Sequence, residues 1–359
     1  MSAETATQEA HRIMTICNAC RYCEGFCAVY PAMELRRTFT PADLIYLSNL
    51  CHNCRDCYYA CQYAPPHEFN LNVPRSLAEL RLASYRKAIW PAPFAALLTR
   101  NGRTVSAVAV ILVVAAVLLG LAIGQPNAFF GAHTGANAFY NIISYPAMVG
   151  IFSVLALAAA LGLGMAMNRL WRAMAGSGFL NLKAQRQAVL DVLRLKYLDG
   201  GGYGCNYPDD RFSMARRNFH HAVFYGFLAC LASTTIAAFY DHFLHCPAPY
   251  PVLSWPVMLG TAGGLSLLVG TAGLIYLKIR MDRAPASEKT AGMDLAFVVL
   301  LMLTSLSGLI LLMVRSTAAM GSLLAIHLGL VATLFVTMPY GKFLHAVFRY
   351  LALVKNAGE

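Results

Sequence analysis

Charged side chains are scarce in this chain, at 13% of 359 residues, and the acidic kind is scarcer, with 17 Asp and Glu against 28 Lys and Arg. So little charge excludes a disordered, polyelectrolyte-like protein, which needs many charges and few apolar groups. Several catalytic signatures are missing as well. There is no phosphate-binding P-loop, no catalytic-triad pattern, no flavin motif, and no C-x-x-C-H for covalent haem attachment. The glycine run Gly200–Gly204 lacks the strand and the G-x-G-x-x-G pattern of a dinucleotide site, so a tight turn is expected there. The first 100 residues are polar and cysteine-rich and do not read as a secretory leader.

Apolar side chains fill the rest. They make up 58% of the chain, with a mean hydropathy of +0.53. Roughly 20 apolar residues span a bilayer as a helix, and six stretches qualify: 104–124, 145–167, 219–241, 255–278, 291–314 and 321–341. The last is expected to run on toward residue 350 as a helix leaving the bilayer. With the N-terminus inside, the connections 168–218, 278–290 and 342 onward carry nine, four and three basic residues, and the three external ones carry none, none and one, Arg315. That bias predicts a cytoplasmic N-terminus in a bacterial inner membrane. The net charge of +11 is then topological and calls for no nucleic-acid partner.

Eight of the eleven cysteines form two identical runs, Cys17-x2-Cys20-x2-Cys23-x3-Cys27 and Cys51-x2-Cys54-x2-Cys57-x3-Cys61. This spacing is that of bacterial-type [4Fe–4S] ligation, in which the fourth cysteine of each run serves the other cluster. One cluster is therefore assigned Cys17, Cys20, Cys23 and Cys61, and the other Cys51, Cys54, Cys57 and Cys27. Zinc would not account for four cysteines per run, and disulfides do not suit a reducing compartment. Ala28 and Gln62 follow the fourth cysteines, where soluble ferredoxins often have Pro. Arg21 and Arg55 are expected to raise cluster potentials, and exposed arginines to help dock a partner, with Glu24 and Asp56 nearly balancing them. Cys205, Cys230 and Cys246 are given no cluster role.

Three sections result. Residues 1–73 form the dicluster domain, in which Thr40-Pro41-Ala42-Asp43 starts a helix that delivers the second cysteine run. Residues 74–103 form a basic amphipathic connector, set either on the membrane surface or against the cluster domain. Residues 104–359 form the membrane domain, with the cytoplasmic loop 168–218.

Histidines in spanning helices are functional candidates, because ionisable groups there are costly. His327 and His345 are 18 residues apart, which on a continuous helix puts them on one face, about 27 Å apart. His220 and His221 begin the third span at the level of His345; His242 and His245 end it nearer His327. Paired neutral imidazoles from two helices make a b-type haem site. The preferred cytoplasmic pair is His221 with His345, with His220 the alternate, and an external pair is His327 with His242 or His245. His11, His52, His67 and His133 are assigned no role.

The segment Cys51-His-Asn-Cys54-Arg-Asp-Cys57-Tyr-Tyr-Ala-Cys61-Gln-Tyr-Ala-Pro-Pro-His67-Glu-Phe resembles the second cluster motif of the tricarballylate-utilisation protein B family, TcuB, also called CitB. The likeness continues through Asn72-Val-Pro-Arg75-Ser-Leu-Ala-Glu-Leu-Arg81 to Trp90-Pro91. It resumes at Gly204-Cys205-Asn206-Tyr207-Pro208-Asp209 and Arg216-Arg217-Asn218-Phe219-His220-His221. The chain is also similar to the C-terminal half of CobZ, where a flavoprotein is fused to this kind of module. The resemblance implies an all-α protein, an N-terminal helical ferredoxin-like domain with two [4Fe–4S] clusters plus a six-helix transmembrane bundle. That bundle resembles the haem-binding gamma subunit of respiratory nitrate reductase. It further implies an electron-transfer protein that reoxidises a separate FAD-dependent dehydrogenase resembling TcuA, which converts tricarballylate to cis-aconitate. Electrons would go through the clusters and haem b to membrane quinone. The alternatives are a cluster subunit of another respiratory complex and a membrane-anchored redox sensor without quinone reductase activity.

Overall fold

A computed structural model of the chain describes residues 3–99, 101–123 and 129–359. The end of the 104–124 span, at residue 124, lies outside the described residues, as do residues 1 and 2 of the cluster domain. The helices are α1 (Ala3–Cys20), α2 (Val29–Glu34), α3 (Pro41–Leu50), α4 (Asp56–Tyr59), α5 (Val73–Ala88), α6 (Ala95–Thr99), α7 (Asn101–Ile123), α8 (Tyr145–Ala173) and α9 (Leu182–Arg194). They continue with α10 (Ala215–Leu244), α11 (Trp255–Arg280), α12 (Glu288–Val314), α13 (Met320–Thr337) and α14 (Leu344–Gly358). One departure from an all-α chain is a two-residue antiparallel ladder, β1 (Cys205–Asn206) with β2 (Phe212–Ser213).

Six segments are long and apolar enough to cross a membrane: Gly102–Ala122, Tyr145–Ala173, Ala215–Leu244, Trp255–Arg280, Glu288–Val314 and Met320–Tyr340. The chain is a membrane protein. Its outward faces are apolar, as at Val114, Leu157, Val269 and Met313, and inward polar groups bond between helices, as where Ser305 Oγ donates to Gly264 O at 2.7 Å. The α10–α11 pair packs backbone against backbone. A Cβ on Gly226 would sit 2.9 Å from Gly263 O, and one on Gly263 would sit 2.8 Å from Gly226 O. Small residues permit this approach where no hydrophobic effect drives helices together in lipid. Cys230 packs at this crossing, its Sγ 2.9 Å from where a Gly263 Cβ would stand.

The sixth span does not continue into the C-terminal helix. It ends at Thr337, passes through a 3₁₀ turn at Met338–Tyr340, and meets an extended Gly341 before α14 begins at Leu344. Pro339 lacks the N–H that a continuing helix needs. The expectation of one helix carrying both His327 and His345 is therefore corrected. At this break Lys278 Nζ and Lys342 Nζ stand 3.1 and 2.7 Å from the two carboxylate oxygens of Asp294, which pins α11 and α12 to the turn. A charge at a bilayer edge needs such partners.

The core of the N-terminal region gathers α1, α2, α3 and α5 with Leu344, Phe348, Leu351 and Val354 of α14 and Ala166 and Leu170 of α8. Thr40 caps α3 as its sequence suggests: its hydroxyl accepts from Asp43 N at 3.2 Å, and the Asp43 carboxylate accepts from Thr40 N at 3.0 Å. Most of α5 is buried. Of the two placements open for the connector, the one against the cluster domain is seen. Glu79 on α5 accepts from Lys289 at 2.6 Å, tying that helix to the first turn of α12.

Replacing Gly263 by Leu forces the α10–α11 backbones apart. We expect a loss of about 1–3 kcal/mol, read as a lower unfolding midpoint in detergent. Leu265→Ala on the outward face leaves the midpoint nearly unchanged.

Candidate functional site

The two cysteine runs reach their positions by different local means. Cys17 and Cys20 occupy the last turn of α1, which ends where Arg21 turns into the left-handed region at φ 56°. In the second run Cys51 closes α3, Asn53 and Arg55 take positive φ, and Cys57 lies in α4. Non-glycine residues hold such φ values only when their surroundings enforce them. Arg55 is enforced strongly: it is 2% exposed, donates to Asp282 O at 3.0 Å and stacks over Tyr207 at 4.5 Å. It is therefore a crosslink to the α11–α12 connection and not a docking residue.

The fold exchanges the fourth cysteines between the runs. Cys17 has Cys20, Cys23 and Cys61 as its neighbouring thiols, and Cys27 has Cys51, Cys54 and Cys57. Burial, then the neighbouring thiols, push Cys17 up to about 12, and burial pushes Cys23 up to about 11. Such thiols stay protonated unless a cation binds them, since the thiolate is the metal-ligating form. Cys17, Cys20, Cys23, Cys57 and Cys61 line a cavity of about 190 Å³ together with Tyr30. Among the described residues, no three His, Cys, Asp or Glu side chains converge as ligands of one ion would; zinc would draw its thiolates to about 2.3 Å. Sulfurs set around a space suit a polynuclear cluster. The first set opens to solvent at Cys20, whereas Cys51, Cys54 and Cys57 are buried.

A ninth cysteine joins the second set. Cys205 is 0% exposed, its thiol meets Cys54, and it donates to Leu198 O at 3.3 Å. The loop that brings it is laid on the cluster site. Gly200 has φ 55°, and a Cβ there would meet Asp56 Oδ2 at 2.6 Å, so the glycine run is a close-approach segment as well as a turn. The Asp56 carboxylate accepts from Asn206 N at 2.8 Å, and burial, with Cys54 beside it, pushes its pKa up to about 7.

Arginines from three helices bind the carbonyls of the segment that leads into the second run. Arg349 of α14 donates to Leu50 O at 2.7 Å, and Arg81 of α5 to Cys51 O at 2.6 Å. Arg216 of α10 donates to His52 O at 3.1 Å and Asn53 O at 2.6 Å. Among the described residues, none of the three has an ion-pair partner within 4.0 Å. Arg349 also lies 3.1 Å from His52 Nδ1.

One helical turn from two of these arginines stand two histidines. Arg216 is followed by His220, and Arg349 is preceded by His345, at i, i+4 spacing on one face. The rings of His220 and His345 face each other with centroids 6.1 Å apart and planes at 48°. Metal–nitrogen bonds of about 2 Å on each side, plus the ring radii, give about that separation. His345 Nδ1 is 2.7 Å from Lys342 O, which fixes the N–H there and frees Nε2. Burial, with Lys342 close by, holds the His345 imidazole well below its usual pKa, in the neutral form that binds metals. Two facing imidazoles, with no third His, Cys, Asp or Glu converging on them among the described residues, would suit a metal whose other positions belong to a macrocycle.

The expectation of His221 as partner of His345 is corrected. One residue of helix turns the side chain by about 100°, and His221 packs on Tyr225 at 5.8 Å instead. The external pair is not brought together. His327 Nδ1 is 3.0 Å from Ser307 Oγ on α12, while His242 and His245 are exposed, His242 beside Phe243 at 4.9 Å.

Residues 98–359 match the family profile described as citrate utilization protein B, and residues 10–87 match that described as the citrate utilization protein B Fer4-like domain. The chain belongs to the citrate utilization protein B family. It is 47% identical over 353 residues to a protein from Escherichia coli named citrate utilization protein B, across 98% of this chain and 92% of that one. No solved structure matches it. In this member of the family the Fer4-like match ends inside α5, and it contains both thiol sets, Tyr30 and Arg81. The second match brings Cys205, Arg216, His220, His345 and Arg349. Cys205, His52, Arg81 and Arg349 belong to the site although no spacing in the sequence ties them to the cysteine runs. The one available signal was the repeated Arg/His spacing of four in α10 and α14.

Arg216→Ala and Arg349→Ala each strand carbonyls of residues 50–53. We expect each to cost about 1–3 kcal/mol of stability. The double variant should lose less than the sum, because both arginines hold one segment; unfolding midpoints in detergent measure this.

Proposed function

We propose that this chain is a membrane-bound electron-transfer protein that accepts electrons from a separate flavoprotein dehydrogenase and delivers them to membrane quinone. The observation that carries the reading is that Arg216 and Arg349, which bond the segment bearing the second cysteine run, stand one helical turn from the facing rings of His220 and His345. When bound, two [4Fe–4S] clusters and a b-type haem supply the one-electron steps that divide a flavin's electron pair. Cys17, Cys20, Cys23 and Cys61 hold one cluster, Cys27, Cys51, Cys54 and Cys57 the other, and His220 and His345 the haem iron.

The chain's own residues give this relay a direction. The first set lies at the surface beside Tyr22 and Leu35, 70% and 68% exposed, so the donor docks there. The second set is buried toward the membrane. The unpaired charges of Arg81, Arg216 and Arg349 favour a negative group beside it, because an opposite charge stabilises the charged form. The three most basic connections all meet the cluster domain, which supports a cytoplasmic placement. The family's printed name speaks of citrate utilization, and with it the donor proposed is a dehydrogenase of a tricarboxylic acid of the tricarballylate or citrate class.

The purified protein should show a sharp b-type band in its reduced-minus-oxidised spectrum, with about eight non-haem irons per chain. His220→Ala should abolish the band, and His221→Ala should keep it. Iron without haem would remove the histidine pair from the relay, and neither would sink the reading.

A further inference from the structure

Tyr30 lies on α2, three residues after Cys27, is 2% exposed, and lines the cavity together with Cys23 and Cys57, which belong to different thiol sets. Its hydroxyl is buried without a hydrogen bond of ordinary geometry. The polar atoms that face it are the thiols of Cys23 and Cys57. Cys17 and Cys27 lie near it as well. A ring is all that packing requires at this position, and a buried hydroxyl without a partner costs about 1–3 kcal/mol. Phe would fill the same space without that cost. The hydroxyl is thus explained by an acceptor that appears when the sulfurs are ionised.

We propose that the Tyr30 hydroxyl is one hydrogen-bond donor shared between the two cysteine sets, donating to Cys23 or to Cys57 but not to both at once; this rests on the reading of the sets as cluster ligands. A phenol has a single O–H to give. Hydrogen bonds to cluster sulfurs raise reduction potentials by favouring the more negative reduced state. The first electron therefore draws the hydroxyl to the set that receives it. The second electron, entering the other set, finds the donor already engaged. Tyr30 raises the higher of the two midpoint potentials, leaves the lower where it is, and so widens the gap between them.

The test is a redox titration of the full-length protein in detergent, followed by electron paramagnetic resonance, with iron measured on the same samples. Tyr30→Phe should lower the higher midpoint by the equivalent of about tenfold in the reduction equilibrium, leave the lower in place and close the gap. Incorporating 3-fluorotyrosine at position 30, which keeps the ring and strengthens the donor, should widen it, and this arm carries the test if the Phe variant assembles poorly. An unchanged gap, or equal shifts of both midpoints, would overturn the sharing of Tyr30. Iron-free wild-type protein would instead overturn the cluster reading on which it rests.

Discussion

Four consecutive backbone carbonyls, those of Leu50, Cys51, His52 and Asn53, each accept a hydrogen bond from an arginine on another helix. The rest of the molecule is arranged around that constraint. A segment entering a cysteine loop leaves the ladder of its helix, and carbonyls buried without partners would be costly. Guanidinium groups satisfy them with charge-assisted bonds and bring α5, α10 and α14 to one place. Because Arg216 and Arg349 belong to the helices that bear His220 and His345, the same bonds set how the cluster domain sits over the histidine pair.

The exchange of Cys27 and Cys61 between the runs has a similar effect on a smaller scale. Each set needs residues from both halves of the domain, so neither forms before α1, α3 and the loops beyond them are packed together. Tyr30 sits at the seam. Polarity follows from depth: an exposed thiol at Cys20 on one side, and buried thiols beside the bundle on the other.

Much of this was legible in the sequence, where short-range chemistry governs the outcome. The Thr40–Asp43 cap and Pro41 marked α3, and apolar runs of bilayer length marked the spans. The failures came from contacts distant along the chain. Cys205 stands almost 150 residues from Cys57, and only the folded loop places it at Cys54. The choice between His220 and His221 turns on the rotational phase of α10, which is set by Arg216 gripping a different domain. Pro339 and Gly341 did signal the end of the sixth span, but the apolar run and the 18-residue histidine spacing favoured continuity. The connector's composition left its placement open between the membrane surface and the cluster domain, and its apolar stripe is what α1, α3 and α8 cover.

The C-terminal helix gives the cluster domain a dependence on the order of synthesis. Phe348 packs edge-on to Tyr85, the Tyr46 hydroxyl donates to Asn356, and Arg349 reaches Leu50. These are contacts in the core of a domain whose cysteines emerge from the ribosome first, yet they come from a helix made after all six spans. Until α14 is made, the cysteine loops lack part of their hydrophobic cover and the Leu50 carbonyl lacks its arginine. The closed form of these loops thereby depends on a helix that is made only after the last span.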